Sequence, residues 1–138
     1  MKILFDLNVL LDVAYRPQRY PHSVQFYHRL VATRQHQHQG TFPACGYTTL
    51  YYQLQRNLPS ARDARDTLLE WHQHLALLPF TDRMALAAHR LSMPDFEDAC
   101  VAITALEGQC AVIVTRNIPD FQASPIPALT PTDLLAQL

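Results

Sequence analysis

Glycine, lysine and long apolar runs are all scarce in this chain, and each scarcity removes a class of function. Three glycines cannot build a loop that wraps a nucleotide phosphate, and neither GxGxxG nor GxxxxGK followed by Ser or Thr occurs. There is no nucleophile elbow. Lys2 is the only lysine, and the formal net charge is −1. No broad basic field therefore exists to hold nucleic acid indiscriminately. No apolar stretch approaches the roughly 18 residues that a membrane span needs, so no membrane partner is expected. Lys2 is followed by a strand-like ILF without a cleavage site, which argues against a signal peptide. Cys45, Cys100 and Cys110 are an odd set without CxxC spacing, each in apolar surroundings. They read as reduced core thiols of a cytoplasmic protein rather than as zinc ligands or catalytic groups.

What is present points elsewhere. Ten of the eleven basic residues are arginines. Arginine pairs bidentately with phosphate and carboxylate, although a GC-rich genome gives the same preference. Of the twelve acids, Asp6, Asp12, Asp95, Glu97, Asp98 and Asp120 lie in three short segments, and the remaining surface is mildly basic without them. A hydrophobic fraction of 49 % supports a real core, and 138 residues fit one domain over 1–138.

Periodicity predicts alternating strands and helices. Lys2–Phe5 reads as a buried strand, Asn8–Val13 as a helix, and His22–Gln37 as a second helix stopped by Gly40. Thr41–Cys45 is a second strand, followed by helices over Tyr47–Leu58 and from Pro59-Ser60 to Trp71 or beyond. Leu75–Phe80 is a third strand. Thr81-Asp82 caps a helix through Leu91, and Pro94–Leu106 forms another, stopped by Gly108. Ala111–Thr115 is a fourth strand. Ile126–Leu129, bounded by prolines, is an edge strand, and Thr130-Pro131 starts the last helix. This alternation specifies an α/β fold, a three-layer parallel sheet with helices on both faces. His36 and His38 read as a solvated helix end, and His72 and His74 likewise.

The acids fall where such a fold places ligands. Asp6 ends the ILF run, and Asp120 follows AVIV; the carboxyl ends of parallel strands are the usual crevice. Asp95 and Asp98 are three apart and share a helix face. Each has a plain structural alternative: Asp6 as a turn or cap, Asp95 as a helix cap, Asp98 as a first-turn acid, Asp120 as a turn residue. Asp12 shares a face with Asn8 and is either a supporting acid or a solvated one. Carboxylates gathered at one crevice repel one another unless a cation lies between them. A hard divalent ion such as Mg2+, which takes oxygen ligands, suits that need.

The motifs resemble those of a known family. FDLNVLLD resembles the DTNVLLD opening of PIN-domain proteins, DFEDACVAITA a DFEDA-type third motif, and VIVTRNIPDF a TRNxxDF fourth motif. SPIPALTPTDLL resembles the end of the same subgroup, so the likeness spans almost the whole chain. It implies a PIN fold and a Mg2+- or Mn2+-dependent ribonuclease, most often the VapC-like toxin of a bacterial toxin–antitoxin pair. It places the metal acids at Asp6, Asp98 and Asp120, polar site residues at Asn8 and Asn117, and an extra acid at Asp95. It further implies an RNA substrate, an antitoxin covering the crevice, and a homodimer. Phe26, Tyr27, Tyr51 and Tyr52 are candidate partner surfaces, or core. Arg116 is a candidate phosphate contact or a solvent-facing side chain. One departure stands out. The family's acid in the helix after the second strand is replaced by Thr49, and no Asp or Glu occurs between Asp12 and Asp63. Thr49 brings a hydroxyl but no charge, which leaves two readings: an enzyme in which Asp12 or Asp95 compensates, and a PIN domain turned to binding.

Overall fold

Five short parallel strands form one sheet in a computed structural model that describes residues 1–33 and 37–138. They are β1 (Lys2–Phe5), β2 (Gln39–Pro43), β3 (Ala76–Leu78), β4 (Val112–Val114) and β5 (Ala128–Leu129). Among the described residues seven α-helices connect and flank them: α1 (Leu7–Tyr15), α2 (Pro21–Thr33), α3 (Tyr47–Asn57), α4 (Ala61–His74), α5 (Asp82–Ala88), α6 (Phe96–Glu107) and α7 (Pro131–Leu135). The strand order is β3-β2-β1-β4-β5. The chain therefore builds outward from β1 on one side, then crosses to β4 on the other. The crevice at such a reversal, here between β1 and β4, is where open α/β sheets bind ligands.

Side-chain alternation splits the core in two. Ile3, Phe5, Val112 and Val114 face one layer, packed by Leu10, Phe26, Leu30, Leu50, Leu54 and Trp71. Leu4 and Ile113 face the other, against Val101, Ala102 and Ala105 of α6. Phe26 and Tyr27 are core residues, whereas Tyr52 is 53 % exposed. Cys100 and Cys110 are buried and all three thiols are free. Burial pushes the Cys45 thiol up to about 12, which leaves it inert as a nucleophile.

The expected elements are all present, with shifted ends. Capping explains most ends: Ser60 for α4, Thr81 for α5, Asp95 for α6 and Thr130 for α7, each accepting from a backbone N–H. Helix α1 starts at Leu7 rather than Asn8, and Asp6 caps it. The second helix is α2 as far as Thr33; residues 34–36, including His36, lie outside the described residues. His38 precedes β2 rather than ending a helix, and His72 meets the Tyr47 hydroxyl at 2.9 Å.

Gly40 does not stop α2. It lies within β2, paired with Ile3. A Cβ there would come 2.5 Å from Leu75 Cδ2 and 2.9 Å from Leu30 Cδ2, so the residue is small because α2 and the end of α4 close over it. Gly40→Ala is expected to cost about 1–3 kcal/mol by overpacking, read as a lower urea midpoint at unchanged slope. A midpoint equal to the parent's would show that both leucines move aside freely.

Candidate functional site

The β1–β4 crevice is assembled from three local structures. The first is the turn after β1. Asp6 is 4 % exposed, and its Oδ1 accepts from the Leu7 N–H at 2.8 Å. Its Oδ2 accepts from the Thr115 hydroxyl at 2.7 Å and from Asn8 Nδ2 at 3.1 Å. The second is the end of β4. Thr115 is fully buried, and its hydroxyl oxygen also accepts from the Asn117 N–H at 3.0 Å. The third is the start of α6, where the Asp98 N–H donates to Asp95 Oδ1 at 2.9 Å. Because α6 runs antiparallel to the strands, its first turn meets their carboxyl ends.

A cavity of about 310 Å³ opens at this point. Asp6, Asn8, Thr49, Glu97, Asp98, Arg116 and Asn117 line it, with Leu7, Leu11, Tyr15, Arg16 and Gln53. Asp120 sits beside it, in the short 3-10 turn Ile118–Phe121, with its N–H bonded to the Asn117 carbonyl at 3.1 Å. Asp95 is exposed and engaged as the α6 cap, so it does not turn inward to replace the missing acid.

Asp12 does not replace it either. Its carboxylate is 0 % exposed, and it is not a solvated helix acid. Oδ2 accepts from Arg116 Nε at 2.6 Å and from the Ser23 hydroxyl at 2.9 Å, and Oδ1 meets Arg116 Nη2 at 3.2 Å and Arg16 Nη2 at 3.1 Å. The Arg116 guanidinium also stacks 3.7 Å above the Tyr20 ring. Arg116 is thus neither free nor solvent-facing. It is a clamped cation forming one wall of the cavity.

Electrostatics follow from this layout. Burial is the main reason the Asp6 carboxyl is raised to about 6, with the Thr115 and Leu7 hydrogen bonds and the Arg116 charge pulling the other way and Glu97 adding to the rise. Asp98 rises to about 7, through burial first and then the charges of Asp6, Asp95, Asp120 and Glu97. Four acids from three segments therefore press on one carboxyl group. Such a place can take a cation. Among the described residues no three Asp, Glu, His or Cys side chains stand as a ready metal shell. The donors are nevertheless all hard oxygens with excess negative charge, which fits a divalent ion such as Mg2+ or Mn2+ in chemistry.

Sequence reasoning passed over Thr115, Ser23 and Glu97 as site residues. Glu97 had a visible signal, since it stands beside Asp98 in a first turn too acidic for capping alone.

Comparisons with known proteins bear on the family and the fold. The sequence matches the PIN domain family over residues 2–119. No curated protein matches it. Among solved structures, VapBC2 from Rickettsia felis bound to a promoter DNA fragment superposes with a TM-score of 0.71 at 14 % identity, covering 94 % of this chain and 98 % of that one. VapBC-1 from nontypeable Haemophilus influenzae gives 0.69 at 16 %, with 96 % and 99 % covered. A toxin–antitoxin complex from Klebsiella pneumoniae gives 0.66 at 17 %, with 94 % and 97 % covered. At these identities the likeness is one of fold.

Proposed function

Because this chain belongs to the PIN-domain family, we propose that it is a Mg2+- or Mn2+-dependent endoribonuclease, the toxin of a bacterial type II toxin–antitoxin pair. The observation that carries the proposal is that Asp6, Glu97 and Asp98 line one cavity, with the charges of Asp95 and Asp120 also acting on Asp98. Structural neighbours that are themselves toxin–antitoxin complexes support the pairing with an antitoxin. No described helix is long and apolar enough to cross a membrane. A homodimer is part of the same proposal.

In this reading Asp6, Asp98 and Asp120 hold the metal, and Asn8 and Asn117 orient water or phosphate oxygens. A bound divalent ion would supply charge neutralisation at the phosphate and a more acidic water. The chain's own part is positional. Thr115 and the Leu7 N–H fix Asp6 from two sides, so its carboxylate does not reorganise during reaction. Arg116, held by Asp12, keeps a positive charge at the cavity wall where a phosphate would approach. Selection of RNA then falls to arginines at the rim and to RNA shape rather than to bulk charge.

The second reading, a PIN domain that binds without cutting, is favoured by Thr49 alone. Partner-free protein incubated with a mixed RNA pool separates the two. The expected result is cleavage with Mg2+ or Mn2+ that EDTA stops. Absence of cutting with either metal, not restored by Thr49→Glu, would leave the binding reading in possession.

A further inference from the structure

Resting on that metal-site reading, we infer that Glu97 supplies the carboxylate that α3 lacks, and that Thr49 is the positioning residue that aims it. The Thr49 hydroxyl donates to Glu97 Oε2 at 3.0 Å, joining α3 to the first turn of α6. Both residues line the same cavity as Asp6 and Asp98. Thr49 occupies the α3 position at which an acid would bring charge into this crevice. The charge has not vanished. A carboxylate enters the same cavity from the first turn of α6, and the α3 hydroxyl donates to it.

A hydroxyl at 49 and a carboxylate at 97 belong together chemically. An acid at 49 would lie within hydrogen-bond reach of the Glu97 carboxylate, and two like charges there would repel. A hydroxyl at 49 removes that conflict and contributes one proton, which goes to Oε2. Among the described residues Oε1 has no hydrogen-bond donor, so it remains free to face a cation. The influence of Glu97 on its neighbours agrees, since its charge raises both Asp6 and Asp98. The competing explanation is a solvated first-turn acid favoured by the helix dipole. That explanation accounts for Glu97 at the helix start but not for its hydroxyl partner on a different helix.

Mn2+ binding decides between them without reference to RNA cleavage. Partner-free, RNA-free protein is titrated with Mn2+ and free ion is read by electron paramagnetic resonance. Glu97→Gln is expected to weaken binding about tenfold or more, because ligand charge sets affinity at hard-cation sites. Thr49→Ala is expected to weaken it by a smaller factor, and Thr49→Ser to retain it. The exchanged pair Thr49→Glu with Glu97→Gln is expected to recover most of the loss. Asp98→Asn in the same titration tests the underlying site. If the parent binds Mn2+, Asp98→Asn loses it and Glu97→Gln matches the parent, Glu97 is a solvated helix acid and this inference fails alone. If the parent binds no Mn2+, the metal-site reading fails and takes the inference with it. Glu97 is exposed, so its Gln variant is expected to fold, and a circular dichroism spectrum matching the parent's checks this.

Discussion

Asp98→Asn is expected to lower metal-dependent RNA cleavage about 100-fold or more while making the metal-free protein more stable. The first effect follows from deleting one charge at the centre of the cluster, where preorganised charge accounts for most of a catalytic effect. The second follows from proton linkage. The folded Asp98 carboxyl is raised from 3.8 to about 7, and burial is the leading cause. The folded state therefore holds this proton more tightly than the unfolded chain does. The carboxyl's favourable contribution is full below 3.8 and is lost as pH rises through about 7. Above that, the folded state carries a charge it would rather not hold. Asn removes the charge, so the gain is greatest near pH 8 and vanishes near pH 4. Asp98 is only partly buried, so solvent screening reduces the gain to about 1 kcal/mol. Thermal melts in EDTA at both pH values, paired with cleavage assays, measure the two effects. A variant that cuts RNA at the parental rate, or that melts lower than the parent at pH 8, would contradict the assignment of Asp98 to the metal cluster.

The same opposition explains why sequence alone identified much of the crevice. A carboxylate that harms the metal-free fold has no structural reason to follow a strand, and its position at the end of an apolar run marks it. Asp6 was legible this way, Asp98 from the face it shares with Asp95, and Asn8, Thr49, Arg116 and Asn117 only through the motifs shared with PIN-domain proteins; all six line one cavity. Strand β1 was legible to the residue, since its apolar run ends where the Asp6 cap begins. Gly40 was not, because its size answers to Leu30 and Leu75, which approach from α2 and from the end of α4. Glu97 was passed over for a related reason. A search for a replacement acid within the neighbourhood of Thr49 cannot see one that arrives from α6, 48 residues away. Pattern periodicity reports which face of an element is apolar. It does not report which polar groups two elements exchange once they pack.

Asp12 is the sharpest instance of that limit, and it carries the largest expected effect on stability. An acid four residues past Asn8 on a short helix reads equally as a supporting or a solvated acid, and it is fully buried between Arg16, Ser23 and Arg116. Its partner Arg116 comes from 104 residues further along the chain. Asp12→Ala is expected to cost about 3–5 kcal/mol, because it strips the counter-charge from two guanidinium groups that are partly withdrawn from water. At this chain length that corresponds to a melting temperature lower by on the order of 10 °C. Arg116→Ala is expected to cost less, since Arg16 and Ser23 still satisfy the carboxylate. The double variant then measures their coupling, and non-additivity of about 1 kcal/mol or more is expected for groups in direct contact. The asymmetry also bears on the crevice. Arg116 is the cation that opposes the rise of the Asp6 carboxyl, and Asp12 is what holds it at the wall. Freeing Arg116 should therefore disturb metal binding in an Asp12 variant that remains folded, even though Asp12 itself is absent from the cavity lining. Melts of the single and double variants, with Mn2+ titration of those that stay folded at 20 °C, test both statements. Additive melts with unchanged Mn2+ affinity would reduce the Asp12–Arg116 pair to a packing contact with no hold on the site.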